Sequence, residues 1–217
     1  MRYENILFDL DGTLTDPFIG ITKCIEYALL EIGRPVPEDL RWCIGPPLHT
    51  SFKTLLGDEV SAEDDLVKHA MTLYRKRYAE KGINELTVYD GIVDLLDSLN
   101  GSGFSVFLAT SKPRVYAQEI LKNKKLDTYF KTIYGSELDG TRTDKTELIK
   151  YIIDSENLAK NSTVMIGDRK FDLIGAAENQ IDSIAITWGY GSQEEFSHEN
   201  PAHIISSVTE LLDCLQS

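Results

Sequence analysis

The chain has 217 residues, 42% hydrophobic and 26% charged, with 35 acids against 22 bases and a formal charge of −13. That acidity argues against nonspecific binding to a nucleic acid polymer, which relies on basic patches. No apolar run approaches the ~20 residues that span a bilayer, the first residues lack a signal-peptide layout, and three scattered cysteines suit a reducing compartment, so the expectation is a cytoplasmic globular protein without a membrane partner.

The first element is "YENILFD" (3–9), a strand apolar enough to be buried on both faces and so to lie at the centre of a parallel sheet. Asp16-Pro17 then offers an N-cap and a first-turn proline, and Phe18, Ile21, Ile25, Leu29 and Ile32 follow at helical spacing up to Gly33. "PEDLRWCIG" and "PPLHTSFKTLLG" predict two short helices separated by Gly45-Pro46-Pro47, and Ser61-x-x-Asp64 opens a further helix to about Lys81. Trp42, Tyr74 and Tyr78 are expected in the core of this helical stretch. His49, His69, His198 and His203 show no metal-ligand spacing.

Strands and helices then alternate. Strands are expected at 104–110, 131–135, 162–167, 183–189 and 202–206, with helices at 91–103, 113–126, 144–154, 170–180 and 208–216. That rhythm implies right-handed crossovers in an α/β fold. It predicts a doubly wound, Rossmann-like parallel-sheet core (1–15 and 83–217) interrupted by an inserted all-helical cap domain (16–82).

Ligands of such sheets bind outside the carboxyl ends of the strands. Those ends gather Asp9 and Asp11, then Thr110-Ser111-Lys112, then Gly167-Asp168 with Asp172 four residues on, while Lys145 opens the helix between. Each residue has a bland alternative. The aspartates serve as turn or helix-cap residues elsewhere, Thr110-Ser111 suits a cap for the helix entered through Pro113, and a first-turn lysine is ordinarily solvated. Lys112 competes with Lys145 as a phosphate ligand, Trp188-Gly189-Tyr190-Gly191 reads as a packed turn, and Arg142 reads as surface.

Taken together, "DLDGT" (9–13), "LATS" (108–111), Lys145 in "TDKTEL" and "IGDRKFD" (166–172) resemble the haloacid dehalogenase superfamily of phosphatases. They occur in that family's order, and the helical insert sits where one subgroup carries its cap. The resemblance implies that Asp9 is the nucleophile and Asp11 the general acid and base. Positions i and i+2 of an extended backbone point to one face, so both carboxylates can reach one phosphoryl group. Thr110, Ser111 and Lys145 would hold phosphate oxygens, the role of Lys145 resting on the resemblance more than on physics. A cation is needed to offset repulsion between carboxylates and phosphate. The implied Mg²⁺ would take Asp9, Asp168 and the Asp11 backbone carbonyl as ligands, with Asp172 behind them or bound through water.

The same carboxylate serves several reactions. A dehalogenase lacks the second acid and the metal, so Asp11 and Asp168 argue against it. A sugar phosphomutase keeps the whole set, and a binding module on this fold usually loses a catalytic acid. The expected function is Mg²⁺-dependent hydrolysis of a small phosphomonoester through an aspartyl-phosphate. The overall plan is similar to phosphoglycolate phosphatases. "IGPPLHTSF" (44–52), "ATSKP" (109–113) and "GSELDGTRTDK" (135–145) resemble a 5′-nucleotidase-like branch.

Overall fold

The computed structural model describes residues 3–57, 61 and 64–216. The chain forms two compact units, Met1–Asp16 with Val88–Ser217 and, between them in sequence, Pro17–Thr87.

The first unit is built on β1 (Asn5–Phe8), β4 (Ser105–Pro113), β5 (Thr132–Ser136), β6 (Thr163–Gly167), β7 (Asp182–Ile186) and β8 (His203–Ile205). They form one six-stranded sheet in the order β5-β4-β1-β6-β7-β8. Every pairing is parallel, with Phe8 opposite Leu108 on one side and Ile166 on the other. A parallel strand covered on both faces needs a continuous apolar run. Ile6, Leu7 and Phe8 are accordingly all buried, as are Val106–Ala109 and Val164–Ile166.

The helices α4 (Ile92–Gly101), α5 (Arg114–Asn123), α6 (Lys145–Glu156), α7 (Lys170–Glu178), α8 (Gln193–Glu199) and α9 (Val208–Gln216) complete the unit. On one face, Leu148, Ile149 and Ile152 of α6 and Ala176 of α7 pack with Leu7, Phe107 and Met165 of the sheet. From β1 the chain moves outward through β4 and β5, then returns to β6 on the other side of β1 and moves outward through β7 and β8. Adjacent strands whose connections diverge leave a crevice at their carboxyl ends. That switch point lies between β1 and β6, the strands that deliver Asp9 and Asp168. The expected α/β architecture is borne out. Helix α8 was not expected, because its seven residues are mostly polar and only Phe196 is buried.

The second unit contains α1 (Phe18–Glu31), α2 (Leu48–Leu56) and α3 (Asp65–Glu80). Short segments β2 (Thr15–Asp16) and β3 (Thr87–Val88), where the chain passes from one unit to the other, pair as a two-stranded sheet. Gly20 of α1 donates its N–H to the Glu85 carbonyl at 2.9 Å, and a Cβ there would strike the Gly82 carbonyl. Phe52 meets Tyr74 edge-on, and Tyr74 stacks on Tyr78 at 5.6 Å.

Four local expectations are corrected. Asp16 does not cap α1: the N-cap position is Pro17, and the Asp16 carboxylate accepts the Tyr190 hydroxyl instead. Helix α3 is capped by Asp64, whose carboxylate accepts the Leu66 N–H at 2.7 Å, and not by Ser61. Residues 37–45 hold only a 3₁₀ turn at Arg41–Cys43, because the Asp39 side chain captures the Arg41 N–H at 2.8 Å and competes with a helical ladder. Trp42 on that turn is therefore exposed, while Tyr74 and Tyr78 are buried as expected.

Arg77 grips Glu85 with two bonds of 2.8 and 3.2 Å. The hydrogen bonds from Arg77 hold the Glu85 carboxyl below the usual glutamate range. Replacing Arg77 by Met is expected to cost about 1–2 kcal/mol at neutral pH, measured by urea unfolding. A carboxyl with a depressed folded pKa stabilises fully above its unfolded value of about 4.3, so the difference between parent and variant should begin to shrink as pH falls below that value and be lost as pH falls through the folded one. A difference independent of pH down to about 3 would contradict this account.

Candidate active site

The site forms where β1 ends. Asp9 continues the ladder, its N–H donating to the Ile166 carbonyl at 2.9 Å, and its carboxylate is buried. Two residues on, the chain turns sharply. The N–H groups of Thr13, Leu14 and Thr15 converge on the Leu10 carbonyl, and Gly12 donates to the Thr15 carbonyl at 2.7 Å. Gly12 has φ +85°, a conformation that favours glycine, and a Cβ there would collide with the Asp168 carboxylate.

Lys145 begins α6 with its side chain buried. Its Nζ lies 2.8 Å from Asp9 Oδ1, 2.6 Å from Asp172 Oδ1 and 2.6 Å from the Ala109 carbonyl. The ammonium donates hydrogen bonds to Asp9 Oδ1 and the Ala109 carbonyl, and the contact with Asp172 Oδ1 is an ion pair. Burial alone would depress this lysine, but Asp172 and Asp9 outweigh it and raise its pKa. The solvated first-turn lysine is thereby excluded.

Asp168 follows β6 and is fully buried. Its Oδ2 accepts the Tyr190 N–H at 2.7 Å, and its Oδ1 lies 3.5 Å from the Thr13 hydroxyl. It does not cap α7, whose N-cap is Arg169. Burial, then the charges of Asp172 and Asp9, push the Asp168 carboxyl well above the usual range. Asp172 accepts the Arg169 N–H at 3.2 Å through Oδ2 while Lys145 takes Oδ1, and burial raises its pKa against the pull of Lys145. Carboxylate oxygens of Asp9, Asp168 and Asp172 all lie within 4.8 Å of one another. Three buried carboxylates gathered this closely make an oxygen donor set that fits a hard divalent cation.

Asp11 stands apart from that triad. Its Oδ2 is paired with the ammonium of Lys112, and burial is the main cause that lifts its carboxyl above the usual range. Thr110 is buried, and its hydroxyl accepts the Lys112 N–H at 3.2 Å without capping α5, whose N-cap is Pro113. The Ser111 carbonyl accepts the Ser136 hydroxyl at 2.8 Å. Arg142 is held by Glu137 and lies over the Tyr151 ring, 4.5 Å from its centroid.

A haloacid dehalogenase-like hydrolase family model matches residues 6–186, spanning the strands that carry every aspartate of the site. The chain belongs to this family. Over its whole length it is 45% identical to a 5′-nucleotidase of Pseudomonas aeruginosa, covering 97% of that protein. It is 38% identical to the tyrosine-protein kinase PtkA of Mycobacterium tuberculosis, with 97% of this chain and 72% of that protein aligned. The crystal structure of a predicted phosphatase from Clostridium acetobutylicum superposes with a TM-score of 0.93 at 42% identity, covering 100% and 99% of the two chains. The expected enzyme class, a phosphatase of the haloacid dehalogenase type, is borne out.

In this family member the turn after β7 contributes more than the packing read from sequence. The Tyr190 N–H fixes Asp168, and the Trp188 indole N–H donates to the Thr13 carbonyl at 3.1 Å. A Cβ on Gly189 would strike Asp168 and the Gly12 carbonyl, and one on Gly191 would strike the Asp168 backbone. The two glycines flanking Tyr190 at a strand exit are the signal that could have found this. Among the described residues, no helix is long and apolar enough to cross a membrane.

Proposed function

We propose that this phosphatase hydrolyses a small phosphomonoester, a 5′-nucleotide or phosphoglycolate, through an aspartyl-phosphate on Asp9 with Mg²⁺ as cofactor. The observation that carries the reading is the buried meeting of Asp9, Asp168, Asp172 and Lys145 at the sheet's switch point. Asp9 attacks phosphorus, and Lys145, hydrogen-bonded to Asp9 Oδ1, orients that carboxylate and offsets charge on the transferring group. Asp11 protonates the departing oxygen, then deprotonates the water that cleaves the intermediate. Thr110 and the Ser111 N–H bind phosphate oxygens. Asp9, Asp168 and the Asp11 carbonyl would hold Mg²⁺, which supplies charge neutralisation and orientation of the phosphoryl group. Asp172 Oδ2 accepts the Arg169 N–H and Oδ1 is ion-paired with Lys145, which supports a place behind those ligands. Pro17–Thr87, acting as the cap, selects the substrate, and the protein works in the cytoplasm.

The test is release of phosphate from para-nitrophenyl phosphate with and without Mg²⁺, followed by a panel of 5′-nucleotides, phosphoglycolate and sugar phosphates. Turnover that chelator abolishes and Mg²⁺ restores is expected; a folded protein inactive with every divalent ion would refute the reading. The relative called a tyrosine-protein kinase favours a second reading, transfer to a tyrosine hydroxyl in place of water. Incubation with labelled ATP and a tyrosine-containing peptide separates the two.

Metal binding has its own signature. Saturating Mg²⁺ at 100 times its dissociation constant is expected to stabilise the fold by about 2.7 kcal/mol, read as a rise in melting temperature. Asp168→Asn is expected to raise the melting temperature of the metal-free protein, because it removes a carboxylate whose ionised form is disfavoured, and to abolish the response to Mg²⁺. An undiminished response in that variant would count against Asp168 as a ligand.

A further inference from the structure

The site holds two lysines, Lys145 buried and Lys112 partly buried, and they serve different carboxylates. Lys145 is hydrogen-bonded to Asp9 and the Ala109 carbonyl and ion-paired with Asp172. The Lys112 ammonium pairs with Asp11 Oδ2, its side chain 7% exposed and that of Asp11 14%. The two residues leave neighbouring strands, Asp11 after β1 and Lys112 near the end of β4.

Several features fix Lys112 in place. The β4 register shifts between Thr110 and Pro113, which takes Lys112 out of the regular ladder. Its N–H is bound to the Thr110 hydroxyl. Gly135 on β5 leaves room for its backbone, since a Cβ there would lie 2.6 Å from the Lys112 carbonyl oxygen. At the other end of the contact, Asp11 Oδ1 is buried and finds no hydrogen-bond partner among the described residues. One oxygen of Asp11 is thus clamped, and the other is buried with its hydrogen-bonding capacity unspent. A buried acceptor in that condition is open to a reacting group.

We infer that Lys112 is a positioning residue. It holds Asp11 through Oδ2, fixes the rotation of the carboxyl group, and thereby selects Oδ1 as the atom that handles the proton. This deepens the phosphatase reading and rests on it. As the P–O ester bond breaks and Asp9 bonds to phosphorus, the proton on Oδ1 passes to the leaving oxygen, which keeps the electron pair of the broken bond. Asp11 is then a carboxylate, and the ammonium beside Oδ2 offsets its charge. In the second step a water oxygen bonds to phosphorus, its proton goes to Oδ1, and the bond from Asp9 to phosphorus breaks with its electrons returning to Asp9.

The dependence on leaving group tests this. An alkyl phosphate needs a proton delivered to its departing oxygen, whereas para-nitrophenolate leaves with little help. The ratio kcat/KM reports events up to the first irreversible transfer, so slow hydrolysis of the intermediate does not hide the effect. Lys112→Met is expected to lower kcat/KM for an alkyl phosphate by about 100-fold and for para-nitrophenyl phosphate by less than about 10-fold, with KM nearly unchanged. Lys112→Arg, which can still clamp Oδ2, is expected to recover part of the loss. Lys112→Gln gives the same comparison if the methionine variant does not fold. Equal losses on both substrates, or a raised KM at unchanged kcat, would overturn the inference while leaving the phosphatase reading intact. A parent protein inactive on every phosphomonoester would overturn both.

Discussion

Asp9→Asn is expected to reduce turnover on the order of 10⁴-fold or more while leaving the fold intact. Asparagine has nearly the same shape as aspartate, and its amide oxygen can still accept the hydrogen bond from Lys145 Nζ that now spans 2.8 Å. What it lacks is an anionic oxygen able to bond to phosphorus, so the covalent route closes. Stability should not fall by more than about 1 kcal/mol, because the substitution also removes one of several carboxylates crowded into a buried site. Steady-state kinetics with an alkyl phosphate measures the loss. Rapid quenching followed by mass spectrometry should find a phosphoryl adduct on the parent's Asp9 peptide and none on the variant's. Retention of more than a few per cent of the parent rate would remove Asp9 from the chemistry.

Lys145→Met is expected to be costly in both stability and rate. It removes one ammonium from three acceptors and leaves Asp9, Asp172 and the Ala109 carbonyl buried without it. Breaking a buried pair from one side typically costs about 3–5 kcal/mol, more than a neutral core substitution of similar volume. Loss of a cation that offsets developing charge on phosphate should lower kcat by about 10²–10³-fold. The sign of the pH dependence follows from the raised pKa of Lys145. A base stabilised as its cation contributes fully below the unfolded lysine value of about 10.4 and loses that contribution as pH rises through the folded value. The stability gap between parent and variant should therefore hold from neutral pH to about 10 and close only in stronger alkali, as denaturant unfolding across that range would record. A gap that closes near pH 8 would mean that Lys145 is not held as described.

Much of the fold was legible because parallel α/β proteins write their plan in alternating segments. Buried central strands such as Ile6–Phe8 cannot be mistaken for amphipathic surface, and the residues after them fall at one rim by topology. That logic brought Asp9, Asp11, Thr110, Lys145 and Asp168 to one end of the sheet from sequence alone. What escaped was set by competition between local and distant partners. Asp16 has the composition of a helix cap, yet its carboxylate is taken by Tyr190, a residue 174 positions away. Tyr190 acts on Asp168 through its backbone N–H, a group every non-proline residue has, so residue type could not announce it. Sequence also posed Lys112 and Lys145 as rivals, and only the fold showed that each has its own carboxylate.

The long reach of these contacts has a consequence for synthesis. Two of the hydrogen bonds that complete the site join residues 136 and 175 positions apart, and β1 cannot be flanked by β6 until the chain has been made as far as Gly167. Closing such distant loops is entropically uphill until late contacts reward it. Even once β4 is available to cover one edge, the opening strand waits for β6 with its other edge unpaired, the kind of intermediate that chaperones shield.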